Sequence, residues 1–282
     1  MVKLIECPRD AMQGWPHLIA TADKVAYLQA LLQVGFHTLD CVSFVSAKAI
    51  PQMADSHEVL HQLELSNTTT KLLAIVANLR GAQEACSFPQ ITYLGYPFSL
   101  SETFQRLNTN SGLTESWERV QQIQNLCAAA GKQLVIYFSM GFGNPYGDGY
   151  NPEVITDWII KMEDAGIRIF SLADTVGVAD AALIGRITGE VCSQFPQLDI
   201  GVHLHSAPKQ ALPKIMAALE AGCRRFDASI NGIGGCPMAK NDLVGNLAMQ
   251  QLVTQLDMAG FATGINPSKL MEAAQLATKL FR

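Results

Sequence analysis

One pair of residues suggests metal chemistry by its spacing alone: His203 and His205, separated only by Leu204. Side chains alternate across a β-strand, so in an extended segment both imidazoles lie on one face and can aim a nitrogen at a common point. Imidazole is the commonest metal ligand. The same pattern also serves two histidines that are separately hydrogen-bonded at a strand end. Asp10 is the carboxylate that would join a metal site, and Asn246 offers a neutral amide oxygen. Nitrogen, carboxylate and amide oxygen together with water suit Mg2+ or Mn2+, and leave Zn2+ and Co2+ open.

Arg9 stands beside Asp10, directly after Pro8. If that segment closes a buried strand, an inward guanidinium needs an anionic partner or a ligand, and oxyanion stabilisation is the functional use; otherwise the dipeptide is a surface ion pair. Asp174, before Thr175 and Gly177, fits either a turn cap or a group that meets substrate. Cys236 lies in the run Gly232–Pro237 (GIGGCP), a loop with the backbone freedom to close over a site. A thiol there can carry protons in acid–base work, or merely pack. The six other cysteines are scattered without a C-x-x-C pair and are expected to be, for the most part, reduced, buried and inert.

What must position these groups is a repeating rhythm. Strands are expected at Lys3–Cys7, His37–Cys41, Lys71–Val76, Ile91–Leu94, Gln133–Phe138, Arg168–Leu172, Ile200–His203 and Arg225–Ala228. Helical patterns lie between them at Thr21–Gln33, Thr114–Ala130, Asn151–Ala165, Asp180–Phe195, Lys209–Ala221 and Asp242–Met258, and Pro267–Phe281 forms an extra helix at the end. Eight βα units without a linker predict an α/β fold, one (β/α)8 TIM barrel over residues 1–282, with the barrel at about 1–260 and the extra C-terminal helix at about 266–282. No G-x-G-x-x-G follows the first strand, and there is no phosphate-binding G-x-x-x-x-G-K-[ST]. In a barrel, chemistry gathers at the C-terminal ends of the strands. Arg9, Asp10, Gln13, Asp40, Ser43, Asp174, His203, His205 and Cys236 all follow strands and should meet at one mouth.

Composition sets the outer limits. Apolar residues make up 49% of the 282 and charged residues only 16%, below the roughly 25% of an ordinary globular chain. The deficit predicts a surface buried against a second copy, hence a homodimer. A net charge of -5 without a basic block argues against nucleic acid and against an anionic membrane surface. No apolar run approaches the roughly 18 residues of a spanning helix. Residues 1–6 read at once as a strand rather than as a targeting segment, so a cytoplasmic location is expected.

Taken together, the segments Cys7–Gln13 (CPRDAMQ), Ser43–Met53 (SFVSAKAIPQM), Ser171–Gly177 (SLADTVG), His203–His205 (HLH) and Gly234–Ala239 (GGCPMA), followed by Gly245-Asn246, resemble the hydroxymethylglutaryl-CoA lyase family of DRE-TIM metallolyases. The resemblance runs in order along nearly the whole chain. It implies metal-dependent cleavage of 3-hydroxy-3-methylglutaryl-CoA to acetyl-CoA and acetoacetate. By that resemblance Asp10, His203 and His205 bind a divalent cation, Asn246 joins or alternates with them, Arg9 holds the thioester oxygen as it becomes an enolate, and Cys236 moves a proton. A CoA thioester needs a local positive patch on an acidic protein, and Lys48 is a candidate for it. Three departures from the family pattern stand out. Asp40 replaces Glu, so its carboxylate should act from farther back or through water. Ser206 replaces the Asp after the histidine pair, removing a carboxylate that could orient an imidazole. Gly14-Trp15 follow Gln13, with Trp15 expected to reshape the pocket. The alternatives are a related metal-dependent aldolase or lyase for another 3-hydroxyacyl-CoA or a 4-hydroxy-2-oxo acid, and a catalytically weak barrel that binds CoA esters.

Overall fold

A computed structural model describes residues 1–235 and 244–282. Eight parallel strands close into a barrel in sequence order, with β1 hydrogen-bonded to both β2 and β8. They are β1 (Lys3–Glu6), β2 (Thr38–Phe44), β3 (Lys71–Val76), β4 (Ile91–Ser99), β5 (Gln133–Ser139), β6 (Ile169–Asp174), β7 (Asp199–Leu204) and β8 (Arg225–Ala228). Their near-continuous apolar runs suit parallel strands buried on both faces. Around them lie α1 (Pro8–Gln13), α2 (Thr21–Leu31), α3 (Ser56–Gln62), α4 (Leu79–Cys86), α5 (Glu102–Thr109), α6 (Leu113–Ala129), α7 (Glu153–Asp164), α8 (Ala181–Gln194), α9 (Pro208–Glu220), α10 (Met249–Met258) and α11 (Pro267–Leu280). Side-chain caps start several of these helices: Asn78 accepts from the Gly81 amide, Ser101 from Phe104 and Asp180 from Leu183.

Three expectations are corrected. Residues 8–13, which match none of the expected strands or helices, form the short helix α1, for which Pro8 is the preferred first residue. Strand 4 continues past Leu94 to Ser99 because its pairing with β5 persists to Ser139. The last barrel helix begins at Met249 rather than Asp242, since Asn246 and Ala248 are spent on bridges to His205 and Ser229; residues 236–243 lie outside the described residues.

Inside the barrel, one half is apolar and the other polar. Leu73, Tyr93, Val135, Tyr137 and Ile169 cluster apart from the larger barrel–helix core. Across from them β7, β8 and β2 present His203, Arg225, Asp227 and Asp40. A β-bulge between Asp40 and Val42 makes Cys41 the extra residue. Three positions apart, Asp40 and Ser43 would face opposite ways in a regular strand; the bulge lets both align with the inward residues Leu73 and Ile75. Helix α11 packs beside α2, and its following Phe281 ring meets Trp15 edge-on at 5.2 Å and Tyr27 at 6.0 Å. Trp15 is thereby tied to the terminal helix rather than turned into the pocket.

Candidate active site

Helix α1 leaves β1 at the C-terminal mouth and places Arg9, Asp10 and Gln13 within one and a half turns. The Arg9 guanidinium is buried and spans the site. Its Nε donates to both oxygens of Asp40 (3.2 and 3.1 Å) and its Nη2 to Oδ2 (2.5 Å), while Nη1 donates to Asp10 (3.2 Å) and Gln13 (3.1 Å). Burial by itself would lower the Arg9 pKa, but Asp40 and then Asp10 outweigh it and hold the charge firmly in place. Asp40 therefore acts directly on Arg9, not from farther back or through water.

Asp10, His203 and His205 each offer one ligand atom, and these atoms all lie within 4.8 Å of one another. Burial would raise the Asp10 carboxyl, yet Arg9, the two histidines and the Asn246 amide hold it below the usual carboxylate range. His205 is kept neutral, its pKa brought down to about 4 by burial and then by His203. Both histidines engage Nδ1 elsewhere: His203 faces Asp227 Oδ2 at 3.3 Å, and His205 donates to the Asp174 carbonyl at 3.0 Å. His205 Nε2 is buried without a hydrogen-bond partner among the described residues. The ionised Asp10 carboxylate, the His203 ring and the orphaned Nε2 of a neutral His205 converge on one point and form a donor set that fits a divalent cation. Asn246 donates Nδ2 to Asp10 (2.7 Å) and to the Ile233 carbonyl (3.1 Å), which leaves Oδ1 to offer. A second trio, Cys7, His203 and Asp227, is equally close. Burial, and then Asp227, push the Cys7 thiol well above its ordinary value, so it remains protonated and is the poorer ligand.

Gly234 explains how chain can pass so near these groups. Its φ is +102°, and a Cβ there would sit 2.7 Å from Asn246 Nδ2 and 3.0 Å from Asp10 Oδ2.

A profile of the HMGL-like family matches residues 2–277. The chain belongs to the HMGL-like family. It is 33% identical over 281 residues to a zebrafish (Danio rerio) protein named 3-hydroxy-3-methylglutaryl-CoA lyase, cytoplasmic, covering 99% of this chain and 82% of that one. The structure of hydroxymethylglutaryl-CoA lyase from Pseudomonas aeruginosa superposes with a TM-score of 0.91 at 30% identity, over 99% of this chain and 92% of the other. An HMG-CoA lyase from Acenitobacter baumannii in complex with coenzyme A and 3-methylmalate gives a TM-score of 0.91 at 27% identity, over 100% and 91%.

The remaining expected residues of this HMGL-like chain fall in different places. Ser43 is buried, with an Oγ that has no hydrogen-bond partner among the described residues. Lys48 is exposed in the turn after β2. The Asp174 carboxylate is buried against Lys214 Nζ (2.9 Å) and the amides of Val178 and Ala179, so it ties the end of β6 to α9 and to the segment that follows β6. Cys236 lies outside the described residues.

Two residues escaped the sequence reading. Lys214 sits on the same α9 stripe as Ala211, Ile215 and Ala218, and a lysine in an apolar i, i+3, i+4 stripe is a legible signal of a buried charge. Asp227 follows Arg225 by two residues on β8, a repeat of inward charge that the strand period makes visible.

Proposed function

We propose that this chain is a divalent-metal-dependent carbon–carbon lyase that cleaves 3-hydroxy-3-methylglutaryl-CoA to acetyl-CoA and acetoacetate. The observation that carries the reading is the placement of the Asp10, His203 and His205 donors beside the Arg9 guanidinium at the mouth of a barrel of this family. A divalent cation held by Asp10, His203 and His205, with Asn246 Oδ1, supplies Lewis acidity that makes the tertiary hydroxyl of the substrate easier to deprotonate.

The protein's own groups do the rest. Arg9 has five N–H bonds; those turned to Asp40, Asp10 and Gln13 leave an Nη2 N–H for the thioester oxygen as it gains enolate charge. Asp40 fixes the plane of that guanidinium. Gln13, Ser43 and Lys48 are proposed substrate contacts, with the Ser43 hydroxyl facing inward and Lys48 offered to the CoA phosphates. Asp174 supports the site by locating the carbonyl that anchors His205. Cys236 is proposed to return a proton to the departing carbanion. The complex of a relative with coenzyme A supports a CoA thioester as substrate.

No helix among the described residues is long and apolar enough to cross a membrane. We propose a single barrel domain that acts in the cytoplasm as a homodimer, the latter from the low charged fraction of the chain; a monomeric mass by light scattering at micromolar concentration would contradict the dimer. The central test is release of acetoacetate from 3-hydroxy-3-methylglutaryl-CoA by purified protein, with Mg2+ or Mn2+ and after chelation. Turnover that persists unchanged without a metal, or no turnover with either ion, would overturn the reading.

A further inference from the structure

We propose that Asp227 is the positioning residue that holds His203 in the Nδ1–H tautomer and so presents its Nε2 lone pair to the cation, an inference that rests on Asp10, His203 and His205 being the metal ligands. Ser206 follows His205, so no carboxylate comes from the position next to the histidine pair. The structure supplies one from a neighbouring strand. His203 and Asp227 are direct register partners of β7 and β8, which puts their side chains on the same inward face. Asp227 Oδ2 lies 3.3 Å from His203 Nδ1 and accepts from Ser171 Oγ at 3.3 Å. The Asp227 side chain is fully buried.

Ring contacts narrow the alternatives for His203. Tyr137 stands edge-on to it at 6.1 Å and an interplanar angle of 89°, and the His205 ring is 4.9 Å away on another side. With rotation confined, the hydrogen bond made by one ring nitrogen decides which nitrogen carries the proton. A carboxylate accepts and never donates when ionised, so it selects Nδ1–H and leaves Nε2 as a ligand. Beneath, Arg225 is fully buried, and its guanidinium has no hydrogen-bond partner among the described residues. Gly201 makes room for its stem, since a Cβ there would sit 2.7 Å from Arg225 Cδ. This guanidinium lies two residues before Asp227 on the same face of β8, with its Nη1 3.8 Å from Asp199 Oδ2.

The two histidines are thus anchored differently. His205 relies on a backbone carbonyl, which no substitution removes. His203 relies on a side chain, which makes the proposal testable.

In long-range 1H–15N spectra of histidine-labelled, metal-free wild-type protein, recorded at a pH where the ring is neutral, His203 should carry its proton on Nδ1. In Asp227→Ala the Nε2–H tautomer should appear, and the dissociation constant for Mn2+, measured by calorimetric titration, should rise about 10- to 100-fold. Asp227→Asn keeps an accepting oxygen and should lose less, and Ser171→Ala should change the constant by no more than about threefold. A purely structural Asp227 would lower the melting temperature of the variants without moving the tautomer. A neutral wild-type His203 ring with its proton on Nε2 overturns the proposal without any variant, as does Mn2+ affinity unchanged in both Asp227 variants. Wild-type protein that shows Nδ1–H at His203 but takes up no Mn2+ overturns the metal assignment and leaves the hold of Asp227 on His203 standing.

Discussion

Asp40 covers one whole edge of the Arg9 guanidinium, accepting from Nε and Nη2, while the opposite side of the same group reaches Asp10. One cation is thereby locked between the wall of β2 and the candidate metal site. The planar fork of arginine makes this possible; a lysine could not hold both at fixed angles.

Removing Asp40 should therefore do two separable things. Asp40→Ala leaves Arg9 buried without its main partner and should destabilise the fold by about 3–5 kcal/mol, read by urea unfolding. In the folded fraction kcat should fall about 100-fold with a smaller change in KM, because a displaced guanidinium no longer meets the developing oxyanion. Equal kcat would show that Asp40 is structural only.

The donor set predicts a sharp metal dependence. Asp10→Asn and His203→Ala should each abolish acetoacetate release and weaken Mn2+ binding measured by titration, with far-ultraviolet dichroism unchanged. Unchanged turnover in either variant would remove that residue from the metal site.

Gly234 should tolerate no side chain. At a φ of +102°, with Asn246 Nδ2 and Asp10 Oδ2 within 3.0 Å of a new Cβ, Gly234→Ala should weaken Mn2+ binding and cost about 1 kcal/mol or more of stability. Gly131→Ala is the matched control: φ there is also positive, +66°, but nothing lies within 4 Å, so only stability should fall.

His205 sets a direction for acid stability in metal-free protein. Its folded pKa of about 4 lies below the ordinary 6.5, so the unfolded chain takes up the proton first. The stability from a neutral His205 is fully present above about pH 6.5 and is lost as the pH falls toward 4. At about 1.4 kcal/mol per pH unit it amounts to roughly 3 kcal/mol at most. Thermal melts in chelator should show a shallower decline over this window for His205→Gln than for wild type; identical slopes would mean that folding leaves the affinity of the imidazole for its proton unchanged.

Lys214→Met should expose the dependence of the site on a distant helix. It leaves the Asp174 carboxylate buried and without its ion-pair partner, so a loss of about 3–5 kcal/mol is expected. The double variant Lys214→Met/Asp174→Leu should recover much of that stability. It should not recover full Mn2+ affinity if the Asp174 carbonyl beneath His205 is displaced.

The barrel was legible in the chain alone, because parallel strands buried on both faces leave apolar runs at a regular spacing, with amphipathic stretches between them. The chemistry expected of the candidate site was readable there too, since two alternating histidines and an Arg-Asp pair at strand ends carry their own geometry. Short elements were less legible. In α1, six residues hold too few periods to separate a helix from a loop, and the extended stretch before Met249 reads as helical until its bridges to His205 and Ser229 are seen. Contacts between strands and helices far apart in sequence emerged only in the folded protein. The bulge at Cys41 that turns both Asp40 and Ser43 inward depends on pairing with β3. The partner of Arg9 is 31 residues away, and those of His203 and Asp174 are 24 and 40 away. Such pairings are set by barrel closure and register, which bring together charges that no local spacing in the chain links.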